Sequence, residues 1–435
     1  MSGLAAAFHL ARAGLAVSLV EASERVGGVL DTRRDGEWLV ELGPNTVAER
    51  RPLAELIEQS GLAGERLPAS AAAAGRRYLW RRAALQAMPQ SPQEILSSPL
   101  LDWRGKMALA REPWVPARRE SEDDESVGAF VRRRFGSQAL EVFAAPFVAG
   151  IHAGDPERLS MRWTLPRVLA LEESHGSVLR GLRAARRSGG PGLRQPVVSF
   201  RGGLVTLVDR LRAAIPDVRT GWKAVGVGRR SDGFTVEGGG GALSAPRIVV
   251  ATPAPEAATL LHAASDGASA PLGELRYAPL AVLALGFRRD QVAHPLDGFG
   301  FLAAPGSGLS LLGCLFASSI FPGRTPAGHV LFTCFLGGMT APQLVERDDA
   351  EIVRLAREDL ERTLGARGEP AHVVVRRWPR AIPQYELGHG RFVTLAEELE
   401  ARLPGLRLAG NWLHGAGVAD CVERGAAVAR ALQAA

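Results

Sequence analysis

Ser2-Gly-Leu-Ala-Ala-Ala-Phe-His-Leu-Ala-Arg-Ala-Gly14-Leu-Ala-Val-Ser-Leu-Val-Glu21-Ala-Ser-Glu-Arg25-Val-Gly-Gly28 is the stretch that decides the fold. Leu4, Phe8 and Leu10–Ala11 recur at the spacing of one helical face. Gly14 stands where a left-handed residue ends a helix. Ala16-Val-Ser-Leu-Val20 then reads as a short buried parallel strand with Glu21 at its carboxyl end. Helix, glycine, strand and acid form the second half of a dinucleotide-binding βαβ unit, in which the acid accepts hydrogen bonds from a ribose. Glycines ahead of the helix let phosphate approach its positive N-terminus. Gly3 takes the place of the third glycine of that turn. The first strand and first two glycines would then precede Met1, an expectation of about ten upstream residues and a start codon assigned too late.

The chain has 435 residues, of which 46% are apolar and 23% charged, which excludes a disordered protein and predicts two or three domains. Of the 52 basic residues only Lys106 and Lys223 are lysines, and arginine is spread along the whole chain, the mark of a coding bias. A nucleic-acid binder would gather that charge on one face, so no nucleic-acid partner is expected. The net charge of +6 suits contact with an anionic membrane surface. Cys314, Cys334 and Cys421 are isolated, so neither a disulfide framework nor a zinc site is supported. No apolar run reaches the roughly 18 residues of a membrane span, and the start lacks the features of a signal peptide. The expected location is cytoplasmic, with peripheral contact on the inner face of the cell membrane.

Glu21-Ala-Ser-Glu-Arg25-Val-Gly-Gly28 is followed by the strand-like Glu37-Trp-Leu-Val40 and then by Glu41-Leu-Gly-Pro-Asn45. E-x-x-x-R-x-G-G after the ribose acid resembles flavoproteins of the monoamine oxidase and phytoene desaturase type, and E-L-G-P-N is similar to the protoporphyrinogen oxidase family within that group. The resemblance implies FAD as cofactor. It places Gly3 at the phosphate turn, Glu21 and Ala22 at the adenosine ribose, and Arg25, Gly27 and Gly28 along the pyrophosphate. Leu42, Gly43, Pro44, Asn45 and Thr46 would lie beside the flavin ring.

Leu406 to Val422 places a strand, a glycine turn and a helix start in succession, and amides at such a helix N-terminus stabilise negative charge on a reduced flavin. Its G-N-x-x-x-G-x-G-x-x-D-C pattern is similar to the family's. By that likeness Ala416, Gly417 and Val418 contact FAD, with Gly410 and Asn411 nearby, and Trp412 or Leu413 stands where the family often has tyrosine. Val225 is implied to meet the adenine, although a buried core valine is an equal reading. Trp378 to His389 resembles the family's W-x-x-A-I-P-Q-Y-x-x-G-H, which puts Trp378 near the cofactor and Ile382 in the substrate cavity.

A tetrapyrrole bearing propionates needs a flat apolar slot and an arginine whose fork suits a carboxylate. By resemblance Arg77, in Arg76-Arg-Tyr-Leu-Trp80, holds a propionate, and Gly150, in Gly150-Ile-His-Ala-Gly-Asp155, abuts the substrate. His152 reads as a packing or surface residue rather than a base. Phe299 and Leu302, in Asp297-Gly-Phe-Gly-Phe-Leu302, would sandwich the macrocycle, and Phe335 would reach the same cavity. No residue is expected to act as a catalyst in its own right, since the flavin does the chemistry. No metal-ligand cluster is visible.

The predicted architecture is α/β, an FAD-binding Rossmann-like fold of the amine-oxidase type with a mixed-sheet substrate domain and a helical insert. The FAD domain comprises 1–75, 197–265 and 403–435, the substrate domain 76–90 and 266–402, and the helical, membrane-associating domain 91–196. Arg180 to Gly192, basic and glycine-rich, is expected as a surface loop. The implied activity is oxidation of protoporphyrinogen IX to protoporphyrin IX in haem biosynthesis, by hydride transfer from a meso carbon to flavin N5, with O2 as acceptor and peroxide as product. Three two-electron rounds complete it. Oxidation of coproporphyrinogen III is the alternative, a cofactor-free membrane-associated binding protein the second alternative, and a homodimer a further expectation.

Overall fold

The computed structural model describes residues 1–118, 124–187 and 195–434. Most of the acidic stretch Glu120–Glu125 lies outside them. The opening helix runs from Ser2 to Arg12 and buries Leu4, Phe8 and Leu10, as the spacing predicts. It packs along the closing helix Val418–Ala434. A Cβ on Gly425 would come within 2.5 Å of the Ser2 carbonyl oxygen, so glycine sets that close approach. Gly14 adopts φ +81 just past the helix end, a left-handed conformation that glycine reaches without penalty.

Ser18–Val20 pairs in parallel with Asp217–Arg219, and Ile248–Val250 in parallel with Leu406–Leu408. These four short strands carry the nucleotide-binding half of the molecule, and Glu21 sits at the carboxyl end of its strand. Ala224–Arg230, Gly233–Gly238 and Gly241–Ala245 form an antiparallel meander beside them.

The second body is a seven-stranded mixed sheet. Its strand order is His372–Pro383, Tyr277–Arg288, His329–Gly337, Leu311–Leu315, Gly300–Ala303, Tyr78–Arg81 and Ala84–Ala87. Only the contact between Gly300–Ala303 and Tyr78–Arg81 is parallel. Tyr277–Arg288 is buried almost throughout because both its faces are covered. Ala281, Leu283, Leu285 and Phe287 pack with Ile352, Ala356 and Leu360 of the helix Asp349–Leu364. On the opposite face Ala284 meets Val40 and Leu42, so the sheet's second face turns toward the nucleotide-binding half. Each fully buried Leu or Phe here contributes about 1.5–3 kcal/mol.

Every named element of the insert among the described residues, from Pro92 to Arg187, is helical. Arg134, within the basic run, is fully buried rather than solvated: it pairs with Glu112 and, at 2.9 Å, with Glu172. The Glu112 carboxylate also accepts from Ser177 Oγ, Val178 N and Leu179 N, and so caps the next helix. Removing one partner of such a satisfied buried pair costs about 3–5 kcal/mol. The expected loop at 180–192 is corrected in its first part. Val178–Arg187 is a helix, because that cap supplies the N-terminal stabilisation a composition-based reading overlooks. Residues 188–192 lie outside the described residues. Strands at Arg66–Pro68 and Val197–Phe200, neither expected from the sequence, pair with one another.

Candidate flavin and substrate site

Strand ends and glycine turns converge on the carboxyl edge of the parallel pairs. Glu21 accepts from Ser23 N and Ser23 Oγ, both at 2.9 Å, which fixes the acid at the strand terminus beside exposed Ala22. Trp222 N donates to the Glu21 carbonyl, and that links the turn to Val225 three residues on. Val225 is 59% exposed, so the reading of it as a buried core valine is corrected: its strand leaves that face open. Arg25 does not point away from its loop. Its guanidinium donates to Leu30 O at 2.6 Å and Gly28 O at 2.7 Å, bracing the turn through Gly27 (φ +104) and Gly28 (φ +63). A Cβ on Gly27 would meet Val208 at 2.9 Å, whereas the space beside Gly28 is open.

The segment from Leu42 to Thr46 crosses directly over this loop. Leu42 N donates to Asp31 O at 2.8 Å, and a Cβ on Gly43 would lie 1.8 Å from Val29 O. Asn45 is buried and doubly engaged, donating to Gly43 O and accepting from Thr333 Oγ1 at 2.9 Å. Its side chain thus ties the segment to the seven-stranded sheet, while Pro44 and Thr46 stay half-buried. Trp378 donates through Nε1 to Leu42 O at 2.6 Å, and the Arg376 guanidinium lies 4.4 Å above its ring.

On the far side, a Cβ on Gly3 would approach Ala251 Cβ to 2.7 Å, and one on Gly410 would lie 2.6 Å from Trp412 Nε1. Gly417 N donates to Asp420 Oδ2 at 3.0 Å, and Asp420 pairs with Arg50, so the turn through Ala416 and Gly417 is locked where Val418 opens the last helix. Tyr385 spans the base of that turn: its hydroxyl donates to Asn411 O and accepts from Gly415 N at 3.0 Å.

The substrate-side residues assemble on the sheet. Cross-strand register sets Leu302 opposite Gly313, Gly313 opposite Phe335, Phe335 opposite Val282 and Val282 opposite Arg376. Directly opposite residues share a face, so Leu302, Phe335, Arg376 and, two residues on, Trp378 stand on the same side. A Cβ on Gly313 would lie 2.8 Å from Phe301 O and 3.2 Å from Leu302 Cδ2, so the Leu302 side chain covers that position. A Cβ on Gly150 would come 2.2 Å from Leu302 Cδ2, so glycine is required there. Arg77 lies 4.7 Å over the Phe299 ring, while neighbouring Arg76 pairs with Asp297. Ile382 packs beside Trp378, Leu312 and Met339. His152 is desolvated, which holds its imidazole down to about 4 and makes it a poor proton carrier at neutral pH.

Residues not singled out from sequence complete the picture. Asp31, buried, gathers Arg25 (3.7 Å), Arg33 (3.5 Å) and Arg376 (3.6 Å). Glu41 is pushed up to about 7 by burial, against the lowering effects of the Thr32 hydroxyl, Leu204 N and the Arg324 charge. Tyr385 and Glu41 stood inside quoted motifs, and Tyr is rare in this chain, which was the available signal. For Asp31 there was none.

The cradle has the features a bound dinucleotide needs. Thr252 Oγ1 is buried without a hydrogen-bond partner, Arg376 Nε has only its 3.6 Å ion pair with Asp31, Gly28 leaves open space, and a Cβ at Gly3 or Gly43 would collide with Ala251 or Val29. The model of the flavin-containing amine oxidoreductases matches residues 1–433. The chain belongs to that family. As a flavin-containing amine oxidoreductase it is an FAD-dependent oxidoreductase with the α/β architecture read from its sequence. It is 30% identical to the coproporphyrinogen III oxidase of Bacillus subtilis (strain 168), over 99% of this chain and 96% of the relative. It is 31% identical to the chloroplastic protoporphyrinogen oxidase 1 of Arabidopsis thaliana, over 93% of this chain and 80% of the relative. A crystal structure of a candidate protoporphyrinogen oxidase from Exiguobacterium sp. 255-15 superposes with a TM-score of 0.85 at 26% identity, covering 100% of this chain and 96% of that one.

Proposed function

We propose that this family member oxidises a porphyrinogen to the porphyrin in haem biosynthesis, with protoporphyrinogen IX as the preferred substrate. The observation that carries the reading is the row Leu302, Phe335 and Trp378 on one sheet face, with Arg77 over Phe299 just ahead of the strand that carries Leu302. Such a face suits a flat apolar macrocycle, and the guanidinium suits a propionate. The balance is one porphyrinogen and three O2 to one porphyrin and three H2O2. Bound flavin supplies the hydride acceptor. The chain's own part is to hold the macrocycle against Leu302 and Phe335, to fix its edge through Arg77, and to keep the Leu42–Thr46 segment in place through Trp378 and Asn45. Leu302, Phe335 and Trp378 would exclude water from their part of that face and so lower the local dielectric.

Coproporphyrinogen III is the second reading, favoured by the near full-length likeness to the Bacillus protein. Four carboxylates call for more cations than two, and of the adjacent arginines Arg76 and Arg77 the first is already matched by Asp297. Turnover of the two porphyrinogens side by side tests the choice. A kcat/KM at least tenfold higher for protoporphyrinogen supports this reading, and the reverse order overturns it.

The reading includes peripheral membrane contact. No helix among the described residues is long and apolar enough to cross a membrane. Trp103 and Met107, one turn apart on the helix Trp103–Arg111, are exposed, and Trp114 is 75% exposed. Indoles at such positions suit the headgroup layer of a bilayer.

A further inference from the structure

The segment Gln384–His389 lies where all three parts of the molecule meet. Ser160 N, from the helical insert, donates to Tyr385 O at 2.8 Å, and Arg158 pairs with Glu386 at 2.9 Å. Gln384 Nε2 donates to His152 O at 2.9 Å, at the end of the helix that carries Gly150. Pro383 and Ile382 continue from the same segment into the substrate-side strand. On its other side the Tyr385 hydroxyl closes the turn between Asn411 and Gly415. The ring is buried and lies tilted with its centroid 4.4 Å from that of His389, whose ring in turn meets Trp163 of the insert at 5.3 Å. Burial holds the His389 imidazole down to about 4, against the raising effect of the Trp412 and Leu413 backbone beside it, so the ring is neutral. The side chain is therefore held rigidly from the insert, and its single polar atom serves the backbone of one turn.

Gly415 and Asn411 frame the residues Ala416 and Gly417 at the start of the last helix, where backbone amides face the cofactor in the reading above. Gly415 adopts φ +145, a conformation that glycine reaches readily, and the Tyr385 hydroxyl holds its N–H while Asp420 holds that of Gly417. We infer that Tyr385 is a positioning residue for flavin: its hydroxyl fixes the 411–417 turn and so sets the cofactor in register with the substrate wall. This rests on the assignment of FAD to the site, and it adds a residue that touches neither cofactor nor substrate.

Tyr385→Phe keeps the ring and its contact with His389 and removes the hydroxyl. Tyr277→Phe serves as a control for loss of a buried hydroxyl, since Tyr277 also accepts a backbone N–H, from Ala254 at 3.0 Å, and not one from the 411–417 turn. Both variants and the wild type are stripped of flavin, checked for a cooperative thermal transition, and titrated with FAD by fluorescence and visible absorption. The expected result is a roughly tenfold weaker FAD affinity for Tyr385→Phe, equivalent to about 1.4 kcal/mol, with altered visible bands of the bound flavin. Tyr277→Phe should stay within twofold of wild type with unchanged bands. If Tyr385→Phe binds FAD like wild type with the same spectrum, or if both variants weaken equally, the positioning role is wrong. A wild-type protein that takes up no FAD would instead refute the cofactor assignment on which the inference stands. Should Tyr385→Phe lack a cooperative transition, the wild type decides: amide exchange at Gly415 must slow on FAD binding, and an unchanged rate overturns the role.

Discussion

Glu41 shows how one side chain can hold several pieces of the flavin side. Its carboxylate accepts from Thr32 Oγ1 at 2.7 Å and from Leu204 N at 2.8 Å, next to the helix Val205–Ala213. A small cavity lined by Leu39, Asn45 and Arg324 separates it from the buried Arg324 guanidinium, whose Nη1 has no protein partner. Burial raises Glu41 from 4.5 to about 7, so the folded state favours the protonated acid. Its contribution is therefore complete below the unfolded value and lost as pH rises through about 7. Relative to Glu41→Gln, the wild type should lose on the order of 3 kcal/mol of stability between pH 4.5 and 8; denaturant midpoints across that range measure it, and parallel curves would refute it. On the substrate side, Arg77→Ala should raise KM for the porphyrinogen by about tenfold with little change in kcat, because a propionate clamp binds ground and transition states alike. An unchanged KM in steady-state assays removes Arg77 from the site. Arg77 was legible only through its motif, since arginine is everywhere in this chain. The role of Glu41 is not legible in its motif, because a burial-driven shift depends on neighbours from distant segments.

Elements were legible in proportion to how local their causes are. The helix Ser2–Arg12 and the strand Tyr277–Arg288 announce themselves by apolar spacing and by an unbroken apolar run. The strands Arg66–Pro68 and Val197–Phe200 do not, since three or four residues held by a partner more than a hundred positions away carry no periodicity. The helix Val178–Arg187 looked like a loop because its stability comes from Glu112, far upstream in sequence. The crossing at Leu42–Thr46 gives the sharpest test at this scale. Gly43→Ala must move Val29 or the segment itself, at a cost of about 1–3 kcal/mol. The expected outcome is a lower melting temperature together with loss of bound flavin on gel filtration. Full flavin retention would show that this crossing does not shape the cradle.

At the scale of the molecule, three stretches of chain meet at one edge, and the seven-stranded sheet turns its second face toward them. That order was readable because motifs from Glu21 to Cys421 occur in sequence along the chain. How the insert is wedged against Tyr385 and Leu302 was not, since it depends on contacts between segments more than a hundred residues apart. Exposed Trp103 and Trp114 predict that the protein floats with anionic liposomes at low salt, and that Trp103→Ala with Trp114→Ala weakens flotation at least fivefold. Equal flotation of wild type and variant would contradict a membrane role for these indoles. The account as a whole stands on the flavin-bearing edge and the apolar sheet face acting on one substrate. Anaerobic mixing of the FAD-loaded protein with protoporphyrinogen IX in a stopped-flow spectrometer tests that most directly. The account predicts bleaching of the flavin bands within the turnover time and, once oxygen is admitted, their return with growth of porphyrin absorbance. Flavin bands that stay unchanged under excess porphyrinogen would contradict it.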